Sequence, residues 1–497
     1  MTALSALRPD NLRARIDDGI NPIVVKELRQ AVQSRFVVAA LLSLLSTQLI
    51  AIGVYLVANP NTVIDIDAGR QVFMLLYGIL LFLCMLFVPL YTAVRLVAER
   101  SDTNVDLLFI TTIKPRSIIA GKLFSAIIIT ILIFSACMPF MAFTYFLRGI
   151  DLPSIFIVLA LGFIIVMACT QLSIFVAAIP VNRVFKLLFG IFVLWFIFLT
   201  FLSAMAAVNG MFRMGIGSRF GDWEFWETVF GILSLFGLVM GSFFVLSVAL
   251  ITPQAANRAL PVRLFITSAW GLLFVAALIA NLFEKDLGPI VFWQLVFNSI
   301  FAIALFAGLS ERDRLGRRVL RSVPQSTLKR ALAFFFFSGA ASGVIWASAG
   351  ICLTLATAWA WSKLFPNYDN HNDLIDSLKW AAAMCLYLFC YALSGAWLRR
   401  HLLSKVGSEV TWLIGVILMI LGIIVPILTG YLLFSDDDWL NTGYKKWLVG
   451  NPFAWGKEPN EMLYLGVPAV WAFIVAALNL RWFIARVKDF RNPAASK

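Results

Sequence analysis

The chain has 497 residues, of which 61% are hydrophobic and 13% charged, so nearly all of it must lie in a lipid bilayer. The formal charge of +13 raises nucleic-acid binding, but the basic residues flank apolar runs instead of sharing one soluble surface, and no nucleic-acid partner is expected. Attraction to anionic membrane lipid is the reading they support.

The first 35 residues are mostly polar, and no cleavable signal peptide is evident in them. Within them Asn21 to Arg35 reads as an amphipathic helix lying on the membrane surface. Asn21 suits the N-cap and Pro22 the first helical position. Ile20, Ile23, Val24, Leu28, Ala31 and Val32 collect on one side, and Lys26, Arg29, Gln30 and Gln33 on the other.

Twelve apolar runs follow: Phe36 to Val57, Gln71 to Ala93, Leu123 to Leu147, Ile155 to Ile179, Leu187 to Val208, Phe230 to Ile251, Leu264 to Leu282, Pro289 to Leu309, Leu332 to Thr357, Leu378 to Leu398, Val410 to Leu433 and Leu463 to Leu480. Crossing ~30 Å of hydrocarbon takes about 20 helical residues, and continuous apolar runs select helices over a barrel. The fold class is therefore all-α and polytopic. Placing the N-terminus in the cytoplasm puts 30 of the 40 Lys and Arg on the inner side, so both termini are expected to be cytoplasmic. Phe36 to Val57 would serve as a signal anchor.

The runs fall into six plus six about the short loop Thr252 to Arg263. The expected organisation is a cytoplasmic N-terminus over 1–35, one six-helix bundle over 36–252 and a second over 253–497. Gly237 with Gly241, and Gly339 with Gly343, are spaced for close helix approach. Pro89, Pro139 and Pro426 can kink the helices that hold them. The outer loops Asn209 to Thr228, with Trp223, Glu224, Phe225 and Trp226, and Ser435 to Glu461 are richer than connectors need to be. Their aromatics are expected at headgroup level.

The inner loop from Arg95 to Lys122 mixes charge with apolar residues. Asp102 or Thr103 suits the cap of a short helix carrying Val105, Leu108 and Phe109, and Lys114 with Pro115 starts another that leads into the third span. A helix with apolar residues exposed to water wants a protein partner.

The order of an NPxxxKELRQ helix, two spans, a loop of the form ERxxxxxxLL…KPRxIIxGK and a long third span resembles the permease subunits of type-2 ABC exporters. The matching residues are Asn21, Pro22, Lys26, Glu27, Leu28 and Arg29 in the helix. In the loop they are Glu99, Arg100, Leu107, Leu108, Pro115, Ile118, Gly121 and Lys122. The resemblance covers about the first 250 residues and implies that the loop seats in a groove of a separate cytosolic ATPase while the surface helix braces it. On that implication Glu99, Arg100, Asp102, Asp106, Leu107, Leu108, Lys114, Pro115, Arg116, Gly121 and Lys122 form the ATPase-coupling loop. Asn21, Pro22, Lys26, Glu27, Arg29 and Arg35 form the bracing helix. Such permeases commonly have about six spans, so the second half is either a fused partner-like half or an extra bundle, and a second permease chain stays open as a partner. Glu311, Arg312 and Asp313 follow the second span of the second half as Glu99, Arg100 and Asp102 follow that of the first. The bland alternative is that the basic stretch Glu311 to Arg330 simply fixes topology.

Chemistry of its own is not expected from the chain. The nearest imitation of a P-loop, Gly450, Gly456 and Lys457, has the wrong spacing and Glu458 where Ser or Thr is needed. Thus ATP and Mg²⁺ belong to the partner. His371 and His401 fall in loops on opposite sides and make no metal site. Cys84, Cys137, Cys169, Cys352, Cys385 and Cys390 all lie in spans as small apolar fillers. No Asp or Glu falls inside the twelve runs, which argues against a proton- or ion-coupled carrier. Of the sparse polar groups within them, Gln48, Gln171 and Asn298 are the candidates for lining a substrate path. The reading is a permease in the plasma (inner) membrane; a gradient-driven carrier and a non-transporting scaffold are its alternatives.

Overall fold

The computed structural model describes residues 22–59, 67–99, 114–147, 149–180, 182–213, 215, 221–253, 256–313, 315–433, 450–453 and 461–491. Fifteen α-helices occur among them and no β-strand. The chain divides into two compact units, Met1–Pro253 and Gln254–Lys497.

The first unit opens with α1 (Pro22–Val32), followed by α2 (Arg35–Ala58), α3 (Ala68–Glu99), α4 (Pro115–Phe146), α5 (Leu152–Ala178), α6 (Arg183–Arg213) and α7 (Trp223–Ile251). The second contains α8 (Ala259–Glu284), α9 (Gly288–Leu309), the short α10 (Arg317–Arg321) and α11 (Thr327–Phe336), then α12 (Ala340–Leu364), α13 (His371–His401), α14 (Thr411–Leu433) and α15 (Glu461–Asp489). Twelve of these, α2 to α9 and α12 to α15, are long and apolar enough to span a membrane. The protein is thus an all-α, multi-pass membrane protein. At ~1.5 Å per residue, the 32 residues of α3 and of α4 exceed the hydrocarbon thickness, so their polar ends protrude from it.

The core of the first unit forms around α3, where Phe73, Leu76, Tyr77, Leu80, Leu81 and Cys84 are fully enclosed. Outward-facing side chains of α2 and α6, such as Leu49, Leu188 and Trp195, are exposed, as lipid contact requires. When the six spans of each unit are numbered by order, the same pairs pack in both: first on second, second on third, fourth and fifth, third on fourth and sixth, and fourth on fifth and sixth.

Three expectations change. The ninth apolar run is not one helix from Leu332. It is interrupted at Phe337 to Gly339, where Gly339 takes φ +154°, and the span proper begins at Ala340. Gly339 therefore lies outside the helix, and only Gly343 makes the close approach: a Cβ there would stand 2.8 Å from the Cα of Gly308. At Gly237 nothing lies within 4 Å of that position. The loop Asn209 to Thr228 shrinks as well, since α6 runs on to Arg213 and α7 starts at Trp223; Trp223 and Trp226 sit exposed in the first turn of α7. Lastly, within the expected outer loop Ser435 to Glu461 the described stretch Gly450 to Phe453 packs against the middle of α13. Tyr391 Oη donates to Gly450 O at 2.6 Å.

Candidate functional site

The most charged buried cluster of the first unit lies where α1, α3 and α4 meet. Pro115 occupies the first turn of α4 after Lys114, whose extended backbone lets the helix begin there, and α4 then continues unbroken into the third span. Two turns in, Lys122 is only 2% exposed. Its Nζ donates to Glu27 Oε1 of α1 at 3.0 Å and pairs with Glu99 Oε2, the last residue of α3, at 2.8 Å.

Glu27 is itself 4% exposed because the inward side of α1, which includes the buried Val24, packs on α4. Around this centre Arg95 Nη1 stands 3.8 Å from Glu27 Oε2, and Lys26 Nζ stands 3.5 Å from Glu99 Oε1. Arg95 also donates to Gln30 Oε1 and lies over the Tyr91 ring, 5.1 Å from its centre. A lone buried ammonium is costly, but two carboxylates in contact compensate it, and removing either side leaves a buried charge unpaired. Lys122 therefore ties both ends of the 100–113 connection to the surface helix.

Of the residues named for coupling, the structure brings Glu99, Lys122, Glu27 and Lys26 together and places Pro115 and Gly121 on the same helix as Lys122. Lys114, Arg116, Arg29 and Arg35 are exposed. Pro22 begins α1. Arg100, Asp102, Asp106, Leu107, Leu108 and Asn21 lie outside the described residues. Sequence reading missed Arg95 and Gln30; the i, i+4 spacing of Arg95 and Glu99 was the available signal.

No family model, curated protein or solved structure matches this chain.

The second unit repeats the device with different wiring. Glu311, just past the end of its second span, pairs with Arg263 at 2.6 Å. Arg263 is 2% exposed and sits on the first span of that unit, α8, whereas Lys122 sits on a third span. Its Nη1 also donates to the carbonyls of Phe335 and Phe337 at 2.9 and 2.7 Å and to Ser342 Oγ at 3.0 Å. Asn257 donates to Phe336 O and accepts from the Ser338 amide. These bonds satisfy the carbonyls freed at the end of α11, which is why the ninth apolar run breaks there. Sequence reading had taken Arg263 as a loop terminus. Asp313 pairs with Arg399 at 2.6 Å, and Arg400 bonds Asn479 and lies 4.1 Å from the centre of the Trp482 ring.

The three candidate path residues are fully buried. Gln48 Nε2 donates to Leu76 O of α3 at 3.4 Å, and Gln171 Nε2 to Ser247 Oγ of α7 at 3.5 Å. Asn298, in the other unit, has no hydrogen-bond partner for either amide atom among the described residues. A cavity of about 280 Å³ near α10, α11 and α15 is lined by Asp313, Phe334, Phe337, Arg486 and Phe490 among others, and none of the three reaches it. No group of His, Cys, Asp and Glu that would hold a metal occurs among the described residues.

Proposed function

We propose that the chain is the membrane-spanning subunit of an ABC-type exporter of the inner membrane, with its N-terminus cytoplasmic and a separate cytosolic ATPase docked on the segment from Glu99 to Lys122. The observation that carries this reading is the buried Lys122 bridging Glu27 and Glu99. A partner that moves the 100–113 connection moves α1, α3 and α4 together, because the same ammonium grips all three. Such a linkage converts a push at the membrane surface into a tilt of two spans that each exceed the bilayer.

ATP and Mg²⁺ bind and react on the partner, and this chain contributes no catalytic group. The shared packing order of the two units favours a fused counterpart of the first bundle in the second, which takes the place of a second permease chain. The apolar interiors of both units suit a lipid-like or amphipathic substrate better than a small ion.

The test is reconstitution in proteoliposomes with the ATPase that copurifies. ATP hydrolysis should rise when the wild-type chain is present, fall with Lys122→Met, and persist when ionophores collapse every ion gradient. Substrate movement that runs on a gradient without nucleotide would assign the chain to the gradient-driven carriers instead.

A further inference from the structure

Three span ends of the second unit meet around one open cavity. Asp313 lies just past Leu309, where α9 ends; Gly339 immediately precedes α12; Arg486 and Asp489 belong to the last turn of α15. Span ends mark the boundary between hydrocarbon and water, so the cavity sits at headgroup level, beside the amphipathic α11 that supplies Phe334 to its wall. It holds about 280 Å³, where one water needs only ~10 to 15 Å³. The side chain of Asp489 is 66% exposed, which leaves that rim accessible from outside.

The lining is divided between apolar and charged groups. Phe334 and Phe337 both meet the buried Phe490 edge to face, with ring centres 5.2 and 5.4 Å from its own. Asp313 and Arg486 supply charge, and neither is fully satisfied. Asp313 Oδ2 accepts from Arg399 at 2.6 Å, but its Oδ1 is buried and has no hydrogen-bond partner among the described residues. Arg486 Nη1 pairs with Asp489 Oδ2 at 3.1 Å, yet its Nε is likewise buried and unpartnered among them. An orphaned charged acceptor and an orphaned charged donor on one cavity are costly to keep. A mostly apolar pocket carrying a few polar groups of this kind has the make-up of a ligand site.

We infer that this cavity binds the headgroup of a phospholipid bearing a primary amine, with the ammonium donating to Asp313 Oδ1 and a phosphate oxygen accepting from Arg486 Nε. The chemistry selects among lipids. Two of the three charged side chains in the lining, Asp313 and Asp489, are carboxylates, so a headgroup that is only anionic is repelled. A trimethylammonium has no N–H to give Asp313. The exposed Leu328 and Leu332, on the same helix as Phe334, offer apolar surface for acyl chains. A lipid held there ties the ends of α9, α12 and α15 together. The site stands apart from the coupling segment of the first unit and does not rest on the transport reading.

The test titrates the full chain in mild detergent with dioleoyl phosphatidylethanolamine, dioleoyl phosphatidylcholine and free O-phosphoethanolamine, and reads bound ligand by native mass spectrometry. The ethanolamine lipid should bind about 10-fold or more tightly than the choline lipid, the factor a charge-assisted hydrogen bond carries. Free O-phosphoethanolamine should bind more weakly than the lipid. Arg486→Gln should weaken the ethanolamine lipid about 10-fold; Lys488→Gln, the same charge change at an exposed position outside the lining, should leave it within 2-fold. Asp313→Asn should erase the preference for ethanolamine over choline. As a measurement that needs no variant, amide exchange at residues 337–339 of the unsubstituted chain should be several-fold slower in nanodiscs of the ethanolamine lipid than in those of the choline lipid. Equal binding of the two lipids, or an Arg486→Gln as tight as the parent, overturns the inference. Should the variants not fold, equal exchange in the two kinds of nanodisc overturns it. Free O-phosphoethanolamine binding as tightly as the lipid would make the ligand a soluble one and overturn the lipid assignment.

Discussion

Replacing Lys122 by Met removes one positive charge from a site where two carboxylates stand 3.0 and 2.8 Å from it. At an effective dielectric of ~20 each contact is worth roughly 5 to 6 kcal/mol of attraction. Desolvation of three ions and the repulsion between Glu27 and Glu99 cancel most of that sum. What the substitution leaves is a Glu27 that is 4% exposed with only the distant Arg95 for company, and breaking a buried pair in this way costs about 3 to 5 kcal/mol. For a unit of about 250 residues, ~2 to 4 °C of melting temperature follows each kcal/mol, so Lys122→Met should melt roughly 6 to 20 °C below the parent in detergent. Adding Glu27→Gln and Glu99→Gln removes the stranded charges and should restore about half or more of the loss. The assay is a fluorescence-detected thermal melt by size-exclusion chromatography on the parent, the single and the triple variant. A Lys122→Met melt within 1 to 2 °C of the parent, or a triple variant worse than the single, refutes the reasoning.

Two further substitutions probe the second unit. Arg263→Met strips Glu311 and the Phe335 and Phe337 carbonyls of their donor; it should cost about 3 to 5 kcal/mol and speed proteolytic cleavage between residues 327 and 339 several-fold, and an unchanged cleavage pattern would remove Arg263 from its role at the break. Gly343→Leu drives a side chain into the backbone of Gly308, 2.8 Å from the first added carbon; overpacking of this kind costs about 1 to 3 kcal/mol or more, read as a melting temperature lowered by several degrees, and a neutral result would mean that α9 and α12 are free to separate.

The spans were legible because hydrocarbon admits little besides a continuous apolar helix; each of the twelve runs read from sequence overlaps one observed long helix, with ends that differ by up to nine residues. The break at Gly339 was not. Leu332 to Thr357 is apolar throughout, and what divides it is a set of hydrogen bonds from Arg263 and Asn257, some 80 residues earlier, that no local pattern displays. Lys122 was legible as a matching residue at the foot of the third span, yet its burial was not, since Glu27 lies 95 residues away and comes into reach only after α1 docks. Gly450 was read as part of a failed phosphate loop. Its packing depends on Tyr387 and Tyr391, two residues that are unremarkable in a row of apolar neighbours.

The central claim is that the connection between Glu99 and Lys122 holds an ATPase. Its most direct test is affinity capture of the tagged chain in mild detergent, with residues 100–113 either intact or scrambled in order, followed by mass spectrometry and measurement of ATP hydrolysis in the eluate. The account predicts a P-loop ATPase and its activity with the intact chain and their loss with the scrambled one. Equal recovery of the enzyme from both, or from neither, contradicts it.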